Sequence, residues 1–235
     1  MNEKNKRGIV PYHIAIIPDG NRRWAKSNQL ILPRSYSIGI KKFIDVSLWA
    51  KELGVKVITV WALSLDNIKM RSKIELKMLY NLYEKTARSS KIIKILKDNK
   101  AKVKVIGHLE LLPSSLKAAL LNLEKATVKY NSLKINLLIG YGGKDDFLYA
   151  FKNLLKLKSE KIYYKDIENN LLSSEVPDID LIIRTSGELR LSGFLPWQSE
   201  YSELYFSNKY WPEFDRQELI AAIDSFSKRE RRFGK

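Results

Sequence analysis

Residues 14–26 read IAIIPDGNRRWAK, and the break inside this stretch decides how the rest of the chain is read. Ile14, Ala15, Ile16 and Ile17 form an unbroken apolar run, the pattern of a strand buried on both faces of a parallel sheet. Pro18 cannot continue a central strand, and Asp19-Gly20-Asn21 favours a tight turn. From Asn21 to Lys26 the residues suit a helix. A strand, a turn and a helix start in that order aim free backbone N–H groups and the positive helix end at one point, which suits an anion. Arg22, Arg23 and Lys26 strengthen that attraction. Asp19 makes sense among these cations if a metal ion accompanies the anion, because Mg²⁺ binds through one or two carboxylates plus substrate phosphates. The stretch proposes a Mg²⁺–diphosphate site with Asp19 as metal ligand. Alone, an Asp-Gly-Asn turn is an ordinary loop in roughly nine cases of ten. The strand before it, the arginines after it and a second motif downstream add the weight.

Working outward, residues 37–53 follow helical spacing through Ile40, Phe43, Ile44 and Leu48, and Gly54 ends the helix. Residues 55–62 are a β-branched strand, followed by a loop over 63–71 that holds Ser64, Asp66, Asn67 and Arg71. A long helix over about residues 73–99 carries Met78, Leu79, Leu82 and Tyr83 on one stripe, with a bend expected at the small residues 87–90. Further strands are read at 102–107, 133–139, 179–183 and 204–206, and further helices at 113–130, 144–157, 167–172 and 216–228. The glycine-rich 140–143 is read as a loop open to close ligand approach. Alternating strands and helices predict an α/β fold with a mainly parallel sheet. Ligands of such sheets bind beyond the carboxyl ends of the strands. The loops after Ile17, Ala62, Ile139 and Ile183 should gather there.

With 235 residues and 45% hydrophobic content, one core and a single domain over 1–235 are expected. There are no cysteines, hence no disulfide or thiolate metal site. The two histidines, His13 and His108, lack metal-ligand spacing and are read as buried or capping residues. No apolar run reaches membrane-spanning length, and residues 1–8 lack the apolar segment of a signal peptide, so a soluble cytoplasmic protein is expected. The net charge of +16 fits nucleic acid, an anionic membrane face or phosphorylated substrates. Its lysines are scattered along helices as a solvated face, so charge alone decides nothing.

The loop after Ile183 carries the second motif, RTSGELRLSGFLPWQSEYSELYF. Arg184 and Arg190 with hydroxyls such as Ser186 and Ser192 beside them suit bidentate recognition of a diphosphate. Alone this would be a surface loop more often than a site. On the same sheet edge as Asp19 it makes a second anion pocket, and two such pockets suggest an enzyme joining two diphosphates.

The blocks HIAIIPDGNRRWAK, LSLDN, NLLIGYGG, RTSGELRLSGFLPWQ, YSELYF and RERRFG, in this order from His13 to Gly234, resemble the signature blocks of the cis-prenyltransferases. The Asn-Arg-Arg form of the first block resembles archaeal and eukaryotic members more than the common bacterial pattern. The resemblance implies that helices around 37–53 and 73–99 wall a hydrophobic tunnel beside the sheet. It implies head-to-tail condensation of isopentenyl diphosphate onto an allylic prenyl diphosphate, with Mg²⁺ held by Asp19 and supported by Glu203. Gly20, Asn21, Arg22, Arg23 and Trp24 would cradle the allylic diphosphate. Asn21 and Asn67 would organise the reacting groups, with Ser64 and Arg71 in the same loop. Arg184, Arg190 and Ser192 would hold isopentenyl diphosphate. Arg232 and Gly234 would complete a neighbouring subunit's site in a homodimer, and the basic surface would allow peripheral contact with an anionic membrane. The sequence departs from the family at Tyr36, where bacterial members have His, at Leu32 in place of an arginine that Arg34 could replace, and at Gly193 in place of Asn. It also has one extra residue before Arg71.

Two other classes compete. A non-catalytic scaffold subunit of a heteromeric cis-prenyltransferase would tend to lose the first-motif aspartate and arginines, which this chain keeps. A basic nucleic-acid-binding protein is suggested by charge alone and has no recognition motif. The all-α trans-prenyltransferases need an Asp-Asp-x-x-Asp motif, absent here: Asp145-Asp146 is followed by Phe-Leu-Tyr.

Overall fold

The computed structural model describes residues 9–157 and 161–229. Its strands are β1 (His13–Ile17), β2 (Val57–Ser64), β3 (Ala101–Ile106), β4 (Leu133–Tyr141), β5 (Leu181–Arg184) and β6 (Glu203–Phe206). They form one sheet in the order β3-β4-β2-β1-β5-β6, with every pairing parallel. β1 lies inside it between β2 and β5, so the chain leaves β1 toward one edge and returns on its other side. A crevice opens beyond the carboxyl ends at such a switch point. The apolar run works as its pattern predicts: Ile14 and Ile16 join one core, and Ala15 and Ile17 the other.

The helices are α1 (Asn21–Ser27), α2 (Leu32–Glu52), α3 (Leu65–Met70), α4 (Lys73–Arg88), α5 (Ser90–Asp98), α6 (Ser114–Thr127), α7 (Gly143–Leu154), α8 (Tyr164–Asn170) and α9 (Arg216–Ser227). Four differ from the sequence reading for local reasons. α2 starts five residues early, with Pro33 in its first turn. The stretch read as a loop over 63–71 contains α3, because Ser64 caps it by accepting from Asn67 N at 3.0 Å. The long helix is two: Ser89 ends α4 and caps α5 by accepting from Ile92 N. α8 precedes the expected 167–172, starting after Tyr163, whose N–H donates to Asp166. Gly140 and Tyr141 belong to β4, and the close approach at Gly140 is to His108, whose N–H donates to Gly140 O at 3.2 Å.

His13 is buried, as expected, in a polar chain across the sheet. Its Nδ1 lies 3.0 Å from both Pro177 O and Asp178 O, and Nε2 lies 2.8 Å from Thr59 Oγ1, which accepts from Asn136 Nδ2 at 2.9 Å. Burial lowers the His13 pKa from 6.5 to about 4. Between those values the unfolded chain binds the proton that the folded chain refuses, so stability is full above pH 6.5 and falls as pH drops toward 4. The loss by pH 4 should be about 3 kcal/mol. Chemical denaturation across this range should show the decline. With only two histidines to assign, proton NMR should show one ring titrating near pH 4. A His13 midpoint near 6.5 would refute the assignment.

Candidate active site

Two cavities meet at the end of β1. One, of about 540 Å³, is lined by Pro18–Arg23, Lys26, Leu32, Tyr36 and Arg71. The other, of about 410 Å³, shares Asp19, Asn21, Tyr36 and Arg71 and runs under the sheet between α2, α4, α5 and α6. Phe43, Ile44, Leu48, Leu96, Val103 and Leu137 make its walls apolar, and Asn99 and Ala101 lie near its far end. The expected tunnel is therefore present on the expected helices.

The turn after β1 holds Asp19 between two guanidinium groups. Arg184 Nη2 donates to Asp19 Oδ2 at 2.9 Å, and Arg23 Nη2 approaches Oδ1 at 3.4 Å. Gly20 N donates to Oδ1 at 2.6 Å. Gly20 is required there: its φ is +98°, and a Cβ would come within 2.6 Å of Tyr210 and 2.9 Å of Ser186. Arg184, the last residue of β5, is almost fully buried; its Nη1 donates to Ser192 Oγ at 2.9 Å and to Arg190 O. Arg23 also donates to Ser186 Oγ and Glu188 Oε1, both at 2.7 Å. Asn21 Oδ1 and Arg184 Nε are buried without a partner among the described residues, one acceptor and one donor left at the cavity walls.

On the opposite wall a chain of hydrogen bonds runs from β2 to α4. Asn67 Nδ2 donates to Ser64 Oγ at 2.6 Å, and Arg71 Nε donates to Asn67 Oδ1 at 2.8 Å. Arg71 Nη1 donates to Tyr36 Oη at 2.7 Å and to Glu75 Oε1 at 3.0 Å, while Tyr36 donates to the same carboxylate oxygen at 2.9 Å. Burial raises the pKa of Tyr36, and that of Tyr83 is pushed up to about 12, so both phenols stay protonated near neutral pH. Glu75→Gln should loosen Arg71 and lower kcat/KM for the substrate on this wall by about 10- to 100-fold, the cost of a charged hydrogen bond. Steady-state kinetics with unchanged thermal stability would check this.

The family described as "Putative undecaprenyl diphosphate synthase" matches residues 17–234. The chain belongs to this prenyltransferase family. It is 40% identical to the geranylgeranyl-diphosphate-specific tritrans,polycis-undecaprenyl-diphosphate synthase of Sulfolobus acidocaldarius, over 97% of this chain and 90% of that one. It is 41% identical to the corresponding synthase of Pyrococcus abyssi, over 99% and 90%. Among solved structures, lavandulyl diphosphate synthase from Lavandula x intermedia, in complex with dimethylallyl diphosphate, superposes with a TM-score of 0.90 at 31% identity, covering 96% of this chain and 99% of that one. A probable undecaprenyl diphosphate synthase from Campylobacter jejuni gives 0.80 at 28% identity over all of both chains.

Within this cis-prenyltransferase the structure gathers Asp19, Asn21, Ser64, Asn67, Arg71, Arg184 and Ser192 on one cavity, and Gly20, Arg22 and Arg23 on the adjoining one. Three residues stand elsewhere. Glu203 opens β6, level with Leu181 at the amino end of β5, and accepts from Arg229 at 2.7 Å. It cannot share a metal with Asp19 of its own chain. Arg190 lends its backbone carbonyl to Arg184, while its exposed guanidinium pairs with Glu188. Trp24 lines neither cavity; its indole N–H donates to Glu213 at 3.1 Å. Arg232 and Gly234 lie outside the described residues. Sequence reading passed over Glu75 and Glu188. Glu75 was signalled by its place four residues after Arg71 and three after the helix cap Ser72. Glu188 bridges Arg23 and Arg190, which hold its carboxyl below the usual range through the Arg190 hydrogen bond first. Arg34 is exposed and lines neither cavity.

Proposed function

We propose that the chain extends an allylic prenyl diphosphate with isopentenyl diphosphate, in a Mg²⁺-dependent reaction, to a cis-polyprenyl diphosphate that serves as a lipid-carrier precursor. The observation carrying this reading is the junction at Asp19 of a cationic cavity with an apolar one. The relatives' names specify geranylgeranyl diphosphate, and we take it as the primer here. Arg22, Arg23 and Lys26 bind its diphosphate, and its tail lies in the apolar cavity. Arg184 and Ser192 bind isopentenyl diphosphate. The allylic C–O bond breaks toward the arginines, the isopentenyl double bond attacks the allylic carbon, and a proton leaves to a diphosphate oxygen. The neutral phenols of Tyr36 and Tyr83 do not serve as the base. Positioning and fixed positive charge supply most of the rate.

The donor set fits Mg²⁺ arriving with a diphosphate. Asp19 is about a third exposed (32%) on the shared wall, and the described residues contain no group of three or more His, Cys, Asp or Glu able to hold an ion by themselves. When bound, Mg²⁺ supplies charge neutralisation of the departing diphosphate. We further propose a homodimer in the cytoplasm with peripheral contact to an anionic membrane. The exposed Leu148 and Phe151 of α7, with Leu155 just after its end, offer a face for the second copy. Each added isoprene unit buries five carbons, worth about 4 kcal/mol, so a long product should leave slowly. Labelled isopentenyl diphosphate with primers of several lengths, followed by product sizing, tests the reading. No condensation with any primer in Mg²⁺ would overturn it.

A further inference from the structure

Three large apolar side chains stand out in water in the segments that lead to the site. Ile31 is 71% exposed, and Met70 and Ile74 are each 84% exposed. Leu32 and Arg71 line the cationic cavity, and Ile31 and Met70 are their immediate neighbours in the chain. Their exposure has a local cause. Ser72 caps α4 by accepting from Glu75 N, and the Glu75 side chain turns inward onto Arg71 and Tyr36. With that side taken by the polar chain, and the core stripe continuing through Met78, Leu79 and Leu82, Ile74 faces solvent. Lys69, Lys73 and Lys77 are exposed in the same segment, against Asp66 as its exposed acid.

We propose that this lip seats the protein on an anionic lipid bilayer, with Met70 and Ile74 entering the acyl boundary and Lys69, Lys73 and Lys77 among the headgroups. The inference rests on the polyprenyl reading above, because the choice of a bilayer over a protein partner comes from what lies behind the lip. The cationic cavity lined by Leu32 and Arg71 joins the apolar one at Asp19, Asn21, Tyr36 and Arg71, so a lipid product can pass from the apolar cavity toward a bilayer seated at this lip. Aliphatic side chains flanked by lysines are the composition of an interfacial anchor. Each lysine near an anionic headgroup plane strengthens binding about fivefold.

The chain has no cysteine, so Met70→Cys can carry a single environment-sensitive fluorophore, with Phe151→Cys on α7 as the comparison site. Vesicles of phosphatidylglycerol and phosphatidylcholine in equal parts should shift the label at position 70 to the blue, less so in high salt, and leave that at position 151 unchanged. The double variant Met70→Ser with Ile74→Ser should float with these vesicles at least ~10-fold less than the wild type. The inference fails if wild type does not bind the vesicles, if the double variant floats as well as wild type, or if position 151 responds instead. It also fails if the label at position 70 follows protein concentration without vesicles, which would make the lip a contact between copies. Condensation by the same proteins in detergent is measured separately. Its retention in the double variant is expected, and its absence in the wild type would refute the enzymatic reading while leaving the vesicle result to stand.

Discussion

Asp19→Ala should lower turnover at least ~10³-fold while diphosphate still binds, a loss of about 4 kcal/mol of transition-state stabilisation. The asymmetry follows from the charges around it. Asp19 accepts from Arg184 at 2.9 Å and faces Arg23 at 3.4 Å, so its removal leaves both guanidinium groups more available to an anion. Binding of inorganic diphosphate should hold or tighten as catalysis disappears. The fold should survive, because Arg184 keeps its bonds to Ser192 and to the Arg190 carbonyl. Titration calorimetry, single-turnover condensation and a melting curve on one preparation separate the three quantities. Wild-type turnover in the variant, or full wild-type activity in excess chelator, would refute the metal role. Merely weakened binding with kcat intact would reassign Asp19 to holding substrate.

How much of this was legible depended on whether the deciding interaction was local. The β1 turn was readable because Ile14–Ile17 must be buried on both faces and Pro18 must end the strand. The same logic placed Ser64, Asn67, Arg184 and Ser192 at one edge, since strand ends of a parallel sheet share an edge whatever the order of the strands. The stretch 63–71 holds a helix where its composition suggests a loop, because the Ser64 hydroxyl caps it. Glu203 shows what depends on more than local pattern. Whether a residue lies at the amino or carboxyl end of a short edge strand depends on register with β5, which no local pattern records. For Trp24 and Arg190 the side-chain directions were the part that sequence does not record. They lie in the right loops, and partners distant in sequence or newly found, Glu213 and Glu188, decide where their side chains go. Tyr36 was noted only as a departure from the family. Its place between Arg71 and Glu75 became visible only when α2, α3 and α4 were brought together.

Mixed dimers of Asp19→Ala and Arg232→Ala should recover roughly a quarter of wild-type activity although each variant alone is nearly inactive. The expectation comes from the terminal Arg232-Phe233-Gly234, whose resemblance is to a motif that completes the neighbouring subunit's site. The position of Glu203 adds to it, since a carboxylate too far from Asp19 of its own chain can assist a metal only across a subunit boundary. In a two-fold dimer with shared sites, a mixed pair gathers both defects in one site and leaves the other intact. Equal amounts reassorting at random make about half the dimers mixed, each with one working site of two, hence the quarter. If Arg232 serves its own subunit, every site keeps one defect and mixing restores nothing. Subunit exchange must be verified with two affinity tags, because unmixed homodimers also give no recovery. Activity in the doubly tagged fraction then decides: about half the wild-type value per dimer supports a shared site, and none, in confirmed mixed dimers, rules it out.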